Sequence, residues 1–144
     1  MESSLSKLQK ELKGHGHSYT KSRAMVFQAI EQNGPLSMHR LTAQLRHSVD
    51  RASVYRVVAL FEELGIVQRM QVGWKYQIEL SDQFAEHHHH LTCTRCGNVI
   101  EFTENEALET SLKKVAADYD FALMNHQIEL QGVCGPCTLL PDIS

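Results

Sequence analysis

The stretch DRASVYRVVALFEELGIVQRMQVGWKYQIEL, residues 50–80, changes its apolar period once, and that change sets the architecture around it. In its first half Val54, Val57, Phe61 and Leu64 recur at three- and four-residue spacing, which is one face of a helix opened by Asp50 and closed by Gly65. Arg51, Ala52, Tyr55, Arg56 and Ala59 are left on the other side. Past Gly65 the period falls to two: Trp74, Tyr76, Ile78 and Leu80 alternate with Lys75, Gln77 and Glu79. Val72-Gly73 separates this run from Ile66–Gln71, so a β-hairpin is predicted, with Glu79 on its polar face.

Working upstream, three shorter helical patterns precede this unit. Leu5, Leu8 and Leu12 lie on a helix that stops at Gly14, and Thr20 can cap a second that carries Val26, Phe27 and Ile30 to Gly34-Pro35. Ser37 caps a third, with Met38, Leu41 and Leu45 inward. Helices followed by a two-stranded wing make a winged helix-turn-helix, whose last helix before the wing can enter the major groove of DNA. On that reading Arg51, Tyr55 and Arg56 are DNA contacts; the plainer reading is a solvated helix face.

Charge separates the two ends of the chain. Residues 1–84 hold 11 Lys+Arg against 8 Asp+Glu, whereas residues 85–144 hold 3 against 9 together with all four cysteines and five of the nine histidines. The basic part suits a polyanion and the acidic part suits cations. We therefore expect two domains, 1–84 and 85–144, in an α+β protein. The full chain has 144 residues, 42% apolar and 22% charged, which is ordinary for a folded soluble protein. It contains no run near the ~18 apolar residues of a membrane span and no apolar signal-peptide core, so a cytoplasmic protein with no membrane partner is expected.

In a reducing compartment the cysteines point to metal rather than to disulfides. Cys93-Thr94-Arg95-Cys96 and Cys134-Gly135-Pro136-Cys137 are CxxC pairs with 37 residues between them. Two such pairs complete a tetrahedral four-cysteine zinc site with no open position for chemistry, so the ion would be structural. A 60-residue domain buries little core and commonly needs such a staple. The tetrapeptide from Cys134 to Cys137 also spells a thioredoxin-type redox motif, but that motif opens a long helix and Pro141 would interrupt one here.

Near the start of the second domain stands His87-His88-His89-His90, which runs directly into Leu91-Thr92-Cys93. On a strand, His87 and His89 face one side while His88 and His90 face the other, so one strand can feed two metal sites; the plainer reading is a polar surface loop. Glu79, Glu101, Glu104, Glu106, Glu109 and His126 are candidates to complete them. The apolar positions Leu108, Leu112, Val115 and Tyr119 form the expected buried stripe of a helix, which places Glu109 beside the core. Imidazole and carboxylate without thiolate suit Fe²⁺, Mn²⁺ or Zn²⁺. A zinc hydrolase could use the same groups, but no HExxH pattern or distinct general base accompanies them.

Ser53-Val54-Tyr55-Arg56-Val57, Leu64-Gly65-Ile66-Val67 and the composite run from His87 through Cys93, Cys96 and Gly97 to Val99-Ile100-Glu101-Phe102 resemble the ferric uptake regulator family, from about Leu5 to Cys137. The resemblance implies a non-enzymatic, homodimeric transcriptional repressor that binds an A·T-rich palindromic operator when loaded with its sensed metal, the second domain being a small α/β dimerisation domain. It implies structural Zn²⁺ at Cys93, Cys96, Cys134 and Cys137, and a regulatory site of Glu79, His88, His90 and Glu101. It also implies an additional site of His87, His89, Glu109 and His126, with His89 where ferric regulators usually have aspartate, and major-groove contacts from Tyr55 and Arg56. The sensed ion is read as Fe²⁺, with Zn²⁺ as the alternative and Mn²⁺ compatible.

Three departures from the family pattern stand out. Gly34-Pro35-Leu36 occupies the stretch that often supplies a regulatory histidine, with His39 nearby. Ser18 stands where many members place a minor-groove lysine, leaving His15, His17 or Lys21 for that contact. The regulatory cysteine common in zinc sensors has no counterpart.

Overall fold

The computed structural model describes residues 1–72, 75–103 and 105–142. Gly73 and Trp74 of the expected hairpin and the candidate ligand Glu104 lie outside the described residues. Two compact units result, Met1–Ala85 and Glu86–Ser144.

The first unit contains helices α1 (Ser4–Gly14), α2 (Lys21–Asn33), α3 (Met38–Leu45) and α4 (Arg51–Glu63), then strands β1 (Val67–Val72) and β2 (Lys75–Leu80). The last three helices each start where a short polar side chain satisfies a first-turn amide: Thr20 accepts from the N–H of Arg23, Ser37 from that of Arg40 and Asp50 from that of Ser53. Gly65, at φ 68°, ends the α4 turn in a conformation that a β-carbon would strain. β1 and β2 pair antiparallel from Val67↔Leu80 to Val72↔Lys75, and Leu36 adds a bridge to Ile78 through N–H···O bonds of 3.0 and 2.8 Å. The result is a winged helix-turn-helix.

Its core is apolar and continuous. Leu8, Leu12, Phe27, Ile30, Leu41, Val54, Phe61, Ile66 and Ile78 are almost wholly buried in one cluster, with Phe27 meeting Phe61 edge-on at 6.4 Å and Phe84 at 5.3 Å. Phe61→Ala removes the ring at the centre of this cluster and should cost about 3–5 kcal/mol. Urea unfolding followed by circular dichroism checks this; a cost below ~1 kcal/mol would contradict the packing described. The alternation in β2 is less regular than its sequence suggests. Glu79, expected on the polar face, is only 4% exposed and accepts a 3.0 Å hydrogen bond from the Gln68 side-chain amide.

The second unit holds strands β3 (His88–Cys93), β4 (Val99–Thr103) and β5 (Glu129–Gly132) with helices α5 (Glu106–Asp118) and α6 (Gly135–Thr138). The sheet order is β4-β3-β5, with β4 antiparallel and β5 parallel to β3. One expectation fails here. Val115 and Tyr119 are 57% and 81% exposed, so the stripe from Leu108 to Tyr119 is not the buried face of α5; Glu109 and Ala116 are buried instead. Three imidazoles gather around the Glu109 carboxylate on the buried side of the helix, while the expected stripe is half-buried at Leu108 and Leu112 and exposed at Val115 and Tyr119.

Candidate metal centres and nucleic-acid interface

Helix α4 presents its polar side to solvent. Arg51, Tyr55 and Arg56 are all exposed, with the Arg51 guanidinium 5.6 Å from the centre of the Tyr55 ring. Asp50 accepts from both the amide (2.9 Å) and the hydroxyl (2.6 Å) of Ser53, whose oxygen in turn accepts from Arg56 at 3.1 Å. Those Ser53 bonds, with the nearby Arg56 charge, hold the Asp50 carboxyl below its ordinary pKa. The cap therefore orients the first turn of the exposed basic face. At the far end, the Arg69 guanidinium from β1 takes both carboxylate oxygens of Glu62 and lies 4.2 Å from the Tyr76 ring centre, tying the wing to α4.

The four cysteines converge. β3 delivers Cys93, the turn after it delivers Cys96, and the loop after β5 delivers Cys134 and then Cys137 on α6. Their sulfurs all lie within 4.8 Å of one another, and Cys96 and Cys134 are 3.8 Å apart. A tetrahedral ion with Zn–S bonds of ≈ 2.3 Å needs sulfurs about 3.8 Å apart, so the donor set and spacing fit zinc. Two backbone amides, of Cys134 (3.3 Å) and Cys96 (3.5 Å), point at the Cys93 sulfur. They lower its pKa to about 6, which favours the thiolate that a metal requires. Cys137 is pushed the other way, to about 12, by hydrogen bonding with Cys134 and by burial. A metal must displace that proton.

The CGPC tetrapeptide does follow a strand, but the helix it opens is a single turn, Gly135–Thr138. The long helix dipole used by thioredoxin-type thiols is absent from this motif.

The histidine run splits as strand geometry predicts. His87, just before β3, and His89 meet Glu109 of α5 and His126 of the following loop: Glu109 Oε1 lies 2.7 Å from His89 Nε2 and 3.3 Å from His87 Nε2, and Oε2 lies 3.0 Å from His126 Nε2. His87 and His126 are 3.1 Å apart through their Nε2 atoms. Burial disfavours the Glu109 carboxylate, yet hydrogen bonds from His89 and His126 and the charges of His126 and His87 outweigh it and hold its pKa below the ordinary value. Three neutral imidazoles and a carboxylate so placed can hold one divalent cation. Sequence reasoning placed Glu109 beside the core; only the fold shows it buried under the imidazoles.

On the opposite face of β3, His88 and His90 stack edge-on at 4.8 Å, and Glu101 is the cross-strand partner of His90. His90 is buried and Glu101 exposed. Glu79 stands in the first unit, on β2, already bonded to Gln68. Of the other candidates, Glu106 is exposed in the first turn of α5 and His39 is exposed on α3; neither is among the clustered ligands.

A winged helix with a basic exposed face, joined to a unit of clustered thiolates and imidazoles, is the architecture of a metal-binding transcription regulator. The sequence pattern of the ferric uptake regulator family matches residues 14–131, and the chain belongs to that family of transcription regulators, which are not enzymes. It is 35% identical over 130 residues to the ferric uptake regulation protein of Vibrio cholerae serotype O1, covering 86% of this chain and 85% of that one. The crystal structure of the Vibrio cholerae ferric uptake regulator superposes with a TM-score of 0.72 at 35% identity, covering 88% of this chain and 99% of the other. A zinc uptake regulator in complex with zinc and DNA superposes at 0.62 and 26% identity, covering 93% and 92%.

Proposed function

We propose that this protein is a cytoplasmic, homodimeric repressor of metal-homeostasis genes whose affinity for an A·T-rich palindromic operator rises when a divalent metal binds, with Fe²⁺ as the sensed ion. One observation carries this reading. Alternate histidines of the run that enters β3, residues 87–90, join two separate groups of imidazoles and carboxylates near four converging cysteines, so one structural and one exchangeable metal class can coexist.

In this reading residues 1–84 bind DNA and residues 85–144 hold metal and dimerise. Cys93, Cys96, Cys134 and Cys137 hold structural Zn²⁺. His88, His90 and Glu101 with Glu79 from the wing form the regulatory set, and His87, His89, Glu109 and His126 form the additional one. An ion shared between wing and dimerisation domain binds best when the winged helices are held at the operator's spacing, so by linkage metal and DNA favour each other.

The second copy is supported by the apolar surface of the single chain. Val115, Tyr119, Leu130 and Val133 are exposed, and a strand edge and helix face of this kind suit another copy of the same unit. On DNA, Arg56→Ala should weaken operator binding by at least about tenfold at saturating metal, as expected for loss of one major-groove arginine. An unchanged Kd in fluorescence anisotropy would remove α4 from the interface.

Zn²⁺ as the sensed ion is the second reading. It is favoured by His89, which gives the additional site a third imidazole, and by the likeness to a zinc uptake regulator bound to zinc. Elemental analysis of anaerobically purified protein, before and after mild chelation, with free thiols counted on the same sample, distinguishes these. One chelator-resistant zinc with protected thiols plus exchangeable iron supports the first reading; exchangeable zinc supports the second. No retained zinc with four free thiols contradicts both.

A further inference from the structure

The zinc knuckles are joined by a side chain that is no metal ligand. Arg95 is the residue before Cys96 in the first CxxC turn, and its half-buried guanidinium reaches across to the second. Nη1 donates to the carbonyl oxygens of Cys137 (2.8 Å) and Leu140 (2.9 Å), and Nη2 donates to that of Pro141. Three acceptors separated from Arg95 by 42, 45 and 46 positions are thus held by one planar fork.

Helix α6 explains the need. It is four residues long, with Pro136 inside it, and a helix this short does not hold itself together. Past its end the Cys137 carbonyl accepts from the Leu139 and Leu140 amides, the latter at 3.2 Å, and the guanidinium adds a further donor there while also taking the carbonyls of Leu140 and Pro141 beyond the helix. The near end of the second knuckle is otherwise anchored through β5, where the Thr94 N–H donates to the Gly132 carbonyl at 2.8 Å, before the chain reaches Cys134. Beyond Cys134 the guanidinium takes over.

We propose that Arg95 is a positioning residue for the four-cysteine site: it latches the Cys137 turn and the segment through Pro141 onto the first knuckle, and thereby sets how slowly zinc leaves. The inference rests on the reading of the four cysteines as a zinc site. Loss of a ligand-orienting partner typically changes metal affinity by about ten- to a hundredfold. The latch acts by geometry rather than by charge alone, because the carbonyls are taken from two nitrogens held in one plane, whereas a lysine ammonium presents its three N–H groups from a single nitrogen.

The experiment is zinc transfer from the full-length protein to a chromogenic chelator, comparing wild type, Arg95→Lys and Arg95→Ala. Release from Arg95→Ala should be faster on the order of tenfold or more, with Arg95→Lys closer to alanine than to wild type. Cobalt substitution supplies a readout of site chemistry: at saturation all three proteins should show the same tetrahedral thiolate spectrum, while the cobalt needed for half-saturation rises in both variants. If Arg95→Ala is purified without zinc, faster release from Arg95→Lys carries the same conclusion. Equal release rates and cobalt affinities in the three proteins would overturn the latch while leaving the zinc site intact. A wild type that holds neither zinc nor cobalt would instead overturn the zinc-site reading and the latch with it.

Discussion

Cys96→Ser is expected to release the zinc and dissolve the second unit rather than merely loosen it. The reason lies in what that unit buries. Its buried residues, among those described, are Cys93, Ala116 and Cys137 with the polar His89, His90, Thr92 and Glu109; no leucine, isoleucine, valine or phenylalanine is among them. The first unit, by contrast, packs more than a dozen large apolar side chains into one cluster. A unit without an aliphatic core cannot offset its chain entropy by hydrophobic burial within one copy. Structural zinc in small domains contributes on the order of 10 kcal/mol, which is large enough to decide folding. The variant should lose its chelator-resistant zinc and sediment as a monomer, while the thermal transition of the winged helix persists. Full zinc content with a normal dimer would show that the thiolates are not the staple.

The second large effect is expected from His90→Ala. His90 is buried on β3 opposite Glu101 and is not one of the four clustered cysteine donors, so its removal should leave the zinc in place. A coupling of about 1–3 kcal/mol between metal and operator binding corresponds to about 5–150-fold in DNA affinity, and this variant should forfeit most of it. DNA affinity measured in the presence of saturating metal should then fall to the metal-free value of the wild type. Wild-type affinity in the variant would assign sensing to the other cluster, and His89→Ala would be the change to make next.

How far the sequence carried the argument differs between the two units. The winged helix was legible almost in full, because its apolar positions serve one protomer's core and obey a single period in each element. Thr20, Ser37 and Asp50 cap the helices they were expected to cap. The second unit was legible in which cysteines and histidines come together but not in its packing. The CxxC spacing and the two-residue period of the histidines are local signals, so they survive without knowledge of the fold. Val115 and Tyr119 look like core residues because periodicity reports that a face is apolar, not that its own chain buries it. Glu109 looks peripheral because a buried carboxylate is intelligible only with the imidazoles that surround it, and those come from residues 87, 89 and 126. Glu79 breaks the alternation of its strand for a related reason: the Gln68 amide that bonds its buried carboxylate comes from across the hairpin. Arg95 carried no signal at all, since its acceptors are backbone carbonyls more than forty positions away.

The central claim is that metal controls operator binding, and it is tested most directly by titrating Fe²⁺, anaerobically, into the zinc-retaining protein in the presence of a fluorescent A·T-rich palindromic duplex at fixed salt. The account predicts that the Kd for DNA falls by at least about tenfold as the exchangeable sites fill, that a chelator reverses the change, and that a scrambled duplex shows little of it. The same DNA affinity with and without Fe²⁺, Zn²⁺ or Mn²⁺, in protein shown to bind those ions, would contradict it.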